Sequence, residues 1–177
     1  MEPMNRIIAV IGAGRGSGKT MTMEALIKEL SSRGYRIGAV KQIHEKNFSI
    51  DKEGKDTWRM AEAGASIVAA AAPGEVTAIK RIQSQERFME ALKLLKTEDP
   101  DIILVEGNPP AKVPKIFVAR TLDKVRKILP IVGGDVICVA SFSPENFKED
   151  EYDLKIPFYP LPAGVKKLAS LIEKRVK

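Results

Sequence analysis

Reactive and metal-ligating side chains are scarce in this chain, whose 177 residues include one cysteine and one histidine. A lone Cys138 excludes an internal disulfide, and its setting in the apolar string DVICVAS reads as small core filler. His44 stands alone in a polar stretch, so neither residue type offers the clustered ligands that a zinc or nickel site needs. No apolar run approaches the roughly 18 residues that cross a bilayer, and no membrane segment is expected. The opening MEPMNR lacks the basic-then-apolar order of a secretory signal, which leaves a cytoplasmic location as the expectation. The net charge is +6 and aromatics make up 6% of the chain. Basic residues are dispersed, and no segment interleaves them with aromatics. Nucleic-acid binding is therefore not expected, and a surface that attracts nucleotides or an acidic partner accounts for the charge.

Repeats, low-complexity tracts and linkers are also missing, so residues 1–177 read as one domain. What is present is an alternation of short β-branched runs with amphipathic stretches, the pattern of an α/β fold with a mostly parallel central sheet. RIIAVIG predicts a buried first strand. Met23, Leu26, Ile27 and Leu30 recur at helical spacing between Gly18 and Ser32, with Glu24 and Lys28 as an exposed i,i+4 pair and Gly34 as the C-terminal cap. YRIGAVKQ follows as a strand. IHEKNFSIDKEGKD, 43–56, is long for a compact domain and points to a functional loop. TWRMAEAG is a short helix stopped by Gly64, and ASIVAAAA and VTAIKRI flank a Pro73-Gly74 hairpin turn.

SQERFMEALKLLK predicts a helix with Ser84 as its N-cap and Phe88, Ala91, Leu92 and Leu95 facing inward. DIILVEG, VPKIFVAR and DVICVAS are strands, with a short helix over 122–129. IPFYP is restricted by Pro157 and Pro160 to a sheet edge. The last helix turns Val165, Leu168, Ala169, Ile172 and Val176 inward.

Ala13 to Thr20, AGRGSGKT, fits [AG]-x-x-x-x-G-K-[ST] with a strand before it and a helix after it, the context a phosphate loop requires. Gly14, Gly16 and Gly18 tolerate positive φ and let backbone N–H groups close around phosphate oxygens, while the following helix adds its positive end. Lys19 is assigned to the β- and γ-phosphates and the Thr20 hydroxyl to Mg²⁺. The expected nucleotide-contacting set is Gly14, Arg15, Gly16, Ser17, Gly18, Lys19, Thr20 and Met21. A second acid should stand at a neighbouring strand tip, and Glu106 at the end of DIILVE fills that place, with Gly107 turning the chain beside it. Thr20 and Glu106 are thus the expected metal ligands. Asp101, at the strand's other end, reads as a turn or cap residue. These features predict a P-loop NTPase, a three-layer sandwich.

AGRGSGKT, GYRIGAVKQ, IDKEGKDTWRMAEAGA, DIILVEG and PKIFVAR, in this order and spacing, resemble the MobB family of molybdopterin-guanine dinucleotide biosynthesis adaptors. The phosphate loop is shared with many families, whereas the blocks at 50–65 and 101–120 are specific. The resemblance implies a protein that binds GTP with Mg²⁺, hydrolyses it weakly, and assists a MobA-like molybdopterin guanylyltransferase in joining GMP to molybdopterin. It also implies a homodimer. Lys19, Thr20, Glu106 and Gly107 match the family's motifs, as do Asp51, Lys55, Asp56 and Thr57. Asp56 or Asp51 is implied near the metal or orienting a water, which adds Asp56 to Lys19 and Glu106 as catalytic candidates. A helix N-cap is the alternative for Asp56. Arg120 matches the family's arginine after PKI, with either an anion contact or a strand-closing role open.

Two departures stand out. The family's His-rich stretch after the second strand is reduced here to His44. Phe142 stands where a guanine-reading Asp is expected, so ATP stays an alternative to GTP, with Glu145 or Asn146 as substitutes. Arg15 is a candidate to reach a neighbour's nucleotide across a dimer. An ATP-dependent kinase or ligase of the dethiobiotin-synthetase-like branch is a rival reading, but its arginine-rich lid is not seen in 42–56, which offers Lys46, Lys52 and Lys55. A nickel-chaperone GTPase would want clustered Cys and His.

Overall fold

A computed structural model describes residues 6–45, 47–82, 86–110, 112–148, 150 and 152–176. Contacts divide the chain into two compact units, Met1–Gln42 with Ala91–Lys177, and Ile43–Glu90. In chain order the elements are β1 (Ile7–Gly12), α1 (Lys19–Ser32), β2 (Ile37–Lys41), α2 (Asp56–Glu62), β3 (Ile67–Ala72) and β4 (Glu75–Lys80). There follow α3 (Arg87–Lys96), β5 (Ile102–Glu106), β6 (Lys115–Val118), α4 (Leu122–Ile128), β7 (Val136–Ser141), β8 (Phe158–Pro160) and α5 (Val165–Val176).

The first unit is a six-stranded sheet in the order β2-β5-β1-β6-β7-β8, and every pairing in it is parallel. Strands buried on both faces read as continuous apolar runs, which is why β1, β5 and β7 were legible. One face carries Ile8, Val10, Ile102, Leu104, Ile116 and Val118 against Met23, Leu26 and Leu30 of α1 and Leu168, Ala169 and Ile172 of α5. Each fully buried Leu or Ile in this layer contributes about 1.5–3 kcal/mol. The crossover β6–α4–β7 runs opposite to β1–α1–β2 along the sheet. Right-handed connections therefore place α4 on the other face, where Leu95 of α3 also meets Gly38 of β2. The result is the expected three layers.

Several local expectations hold. α1 ends as read: Gly34 has φ +91, its N–H donates to Ser31 O, and Tyr35 N–H donates to Leu30 O, the bond pattern of a Schellman motif. The i,i+4 ion pair seen on α1 joins Arg33 to Glu29 at 2.7 Å rather than Glu24 to Lys28. β8 lies at the sheet edge, as its prolines require. Asp101 accepts from Arg36 N–H at 2.7 Å and so ties the starts of β5 and β2 together. Cys138 is wholly buried, and burial raises its thiol pKa. Ser84 and Lys46 lie outside the described residues. Among the described residues no helix is long and apolar enough to cross a membrane.

The second unit holds α2 and the antiparallel hairpin β3–β4, with α2 packed on β3. In the antiparallel register Ala71 faces Val76, Ala69 faces Ala78 and Ile67 faces Lys80. These residues share one face and all are exposed. The hairpin thus presents a mostly apolar face, with Lys80 at the end away from the turn.

Candidate functional site

β1 has β5 on one side and β6 on the other, so the chain reverses direction across the sheet here. In parallel α/β sheets the carboxyl ends of the strands at such a point form the ligand crevice. The glycine-rich loop occupies this place, between the end of β1 and the start of α1. Gly14, Gly16 and Gly18 adopt φ of +118, +67 and +102, the left-handed conformations that the sequence pattern anticipates. Gly12 serves the loop differently. A Cβ there would overlap Ser17 Oγ and stand 2.8 Å from Lys19 Cγ, so its lack of a side chain lets the loop fold back on the strand.

Lys19 Nζ donates to Gly14 O at 3.0 Å, folding across its own loop. Thr22 Oγ1 and N–H both donate to Gly18 O at 2.9 Å and fix the first turn of α1. Among the described residues Ser17 Oγ is buried without a hydrogen-bond partner, a polar atom left over inside the loop. Gly14, Arg15, Gly16 and Thr20 are exposed, and Met21 is 51% exposed at the surface of α1.

The structure brings Thr20 and Glu106 together across the sheet. The Thr20 hydroxyl donates to Glu106 Oε2 at 3.0 Å. The other carboxylate oxygen faces Lys41 Nζ at 3.6 Å, with the Glu106 side chain 14% exposed. Glu106 sits there because β5 pairs in register with both neighbours, Val10 beside it on β1 and Lys41 on β2. Gly107, at φ +141, then leaves room for the Gln42 side chain, which a Cβ would strike. Lys41 and Gln42 were missed by reading motifs alone, and the cross-strand register is the signal that places them.

Phe142 does not line an open position. Its ring and Val118 lie 3.6 and 3.5 Å from where a Cβ on Gly18 would stand, and it packs against the core. This chain therefore uses the end of β7 to back the loop with apolar surface. Asn146 gives its side-chain N–H to Arg120 O at 3.0 Å, whereas Glu145 is exposed on a short 3₁₀ turn.

Asp56 requires a correction. The N-cap of α2 is Lys55, with no side-chain capping bond, and Asp56 is the first helical residue. Its side chain is 87% exposed beside Arg59 at 3.8 Å. The carboxylate that organises this segment is Asp51, whose Oδ1 accepts from Thr57 Oγ1 at 2.8 Å and from Lys52 N–H at 3.0 Å. Its Oδ2 is buried and without a partner among the described residues. The N-cap alternative for Asp56 fails because Asp56 already lies inside the helix, one position after the cap.

Comparison with known proteins gives a consistent result. Residues 7–142 match the family model for molybdopterin guanine dinucleotide synthesis protein B, MobB. The molybdopterin-guanine dinucleotide biosynthesis adapter protein of Haemophilus influenzae is 35% identical over 157 residues, covering 87% of this chain and 86% of that protein. The Escherichia coli adapter is 30% identical over 141 residues, covering 78% and 80%. Among solved structures, a MobB homolog from Bacillus stearothermophilus superposes with a TM-score of 0.70 at 21% identity, over 96% of this chain and 99% of that one. Bacillus subtilis MobB does so with a TM-score of 0.70 at 23% identity, over 97% and 98%.

Proposed function

The chain belongs to the MobB family of molybdopterin guanine dinucleotide synthesis proteins, and from that premise we propose a GTP-binding accessory role in joining GMP to molybdopterin. Family membership sets aside the kinase, ligase and nickel-delivery readings. The observation that carries nucleotide binding is the 3.0 Å contact between Thr20 and Glu106 at the base of the phosphate loop. A hydroxyl and a carboxylate are hard oxygen donors. So small a set suits Mg²⁺, which takes one or two protein oxygens and fills its octahedron with phosphates and water. Thr20 and Glu106 would hold such an ion, which would supply neutralisation of phosphate charge. Lys19 exchanges the Gly14 carbonyl for phosphate oxygen, and the N–H groups of the loop supply fixed donors that need no reorganisation. Glu145 is the carboxylate proposed to accept guanine's N1–H and amino group, since Phe142 is committed to packing. Asp56 stays a proposed catalytic carboxylate.

Hydrolysis is proposed to be slow, since speed requires a positioned water and added positive charge on the γ-phosphate. The proposed partners are a molybdopterin guanylyltransferase, molybdopterin itself and a second copy of the chain. The apolar face of β3–β4 is the proposed surface for self-association, with Val76 76% and Ile67 50% exposed.

Calorimetry with Mg-GTP and Mg-ATP on the wild type and Lys19→Ala, followed by a guanylyltransferase assay, tests the reading. GTP binding lost in the variant, with stimulation of the transferase by the wild type, is the expected result. Tight ATP binding with phosphoryl transfer to a small molecule would overturn it.

A further inference from the structure

Arg33, Arg36, Arg126 and Arg175 each meet a carboxylate, the usual fate of a surface guanidinium. Arg120 does not: among the described residues its side chain has no hydrogen bond or ion pair. Its Nη2 lies 4.0 Å from where a Cβ on Gly16 would stand, beside the middle of the phosphate loop. The backbone around it is well braced. Ala13 N–H donates to Val118 O at 3.0 Å, Ala119 N–H to Ala140 O at 3.3 Å, and the Asn146 side chain to Arg120 O at 3.0 Å. Thr121, the next residue, caps α4.

Among the described residues no carboxylate pairs with this guanidinium, so positive charge gathers beside the loop. Lys19, the N–H groups of the loop and the N-terminus of α1 already favour an anion here, and Glu106 is engaged by Thr20 and Lys41. A guanidinium parked in such a field gains only when an anion arrives, and its planar donors fit phosphate oxygens. We infer that Arg120 contacts the polyphosphate directly, approaching from β6 while Glu106 approaches with the metal from β5 on the opposite side of β1. The inference rests on the nucleotide-binding reading above.

The test is calorimetry on the full chain with Mg-GTP and with Mg-tripolyphosphate, which has phosphates and no base. The variants are Arg120→Ala and Arg120→Lys, and circular dichroism checks their fold. Arg120→Ala should weaken both ligands by about tenfold to a hundredfold, the loss of a charge-assisted contact, and Arg120→Lys should recover part of it. Wild-type affinity in Arg120→Ala would overturn the inference while leaving the reading intact. A loss with GTP but not with tripolyphosphate would overturn it too, by making Arg120 a contact to the nucleoside. Absence of GTP binding in the wild type would remove the reading and the inference together.

Discussion

At the scale of single residues, Glu106 meets a hydroxyl on one side and an ammonium on the other. Both contacts compete with a metal ion for the same two oxygens. Glu106→Gln keeps an acceptor for Thr20 and removes the charge. It should therefore abolish the gain that Mg²⁺ gives to GTP affinity, about tenfold, while affinity in chelator stays unchanged. Titrations with and without Mg²⁺ read this directly, and a retained Mg²⁺ effect would remove Glu106 from the metal site. Lys115 shows what residue identity alone conceals. It starts β6 with its side chain fully buried, its ammonium donating to Val113 O at 3.2 Å. Burial lowers its pKa, opposed by the nearby charge of Asp135. The pairing of β6 with β7 shifts register between Lys115 and Ile116, and no local pattern in VPKIF announces such a shift.

Elements carry their own lesson about legibility. Strands and helices could be read because their signals are local: β-branched runs, 3.6-residue spacing, and Gly34 closing α1. The Schellman bonds and the edge position of β8 follow from the same short-range chemistry. Side-chain partners were less legible because they depend on which strands become neighbours. Thr20 and Glu106 were recoverable from a motif that already encodes the strand order, whereas Lys41 needed the β2–β5 register and Arg120 needed β6 beside the loop. The N-cap alternative for Asp56 fails although KDT satisfies the composition rule, because the helix already begins at Asp56. A true cap occurs at α4, where Thr121 Oγ1 accepts from Lys124 N–H at 3.4 Å. Thr121→Ala should cost about 1 kcal/mol in denaturant unfolding, with the slope of the transition unchanged.

For the molecule as a whole, the hairpin of the second unit is the surface with the plainest consequence. Ile67, Ala69, Ala71, Val76 and Ala78 are exposed together on one face. Val76→Lys places a charge at the turn end of this face; if the proposed self-association uses it, sedimentation should report a shift from dimer to monomer with GTP affinity retained per chain. A mass unaffected by the substitution would remove this face as a self-association surface.

The bond between Thr20 and Glu106 joins positions 86 residues apart in the chain, and the segment between them includes the whole of Ile43–Glu90. Closing a flexible loop costs entropy only logarithmically in its length, about 0.6 kcal/mol for each doubling. Two strands that pair through their own backbone groups hold Thr20 and Glu106 together regardless of how much chain intervenes. Changes in loop length within 43–90 are therefore cheap for the geometry at the ends of β1 and β5, which strand pairing keeps in place.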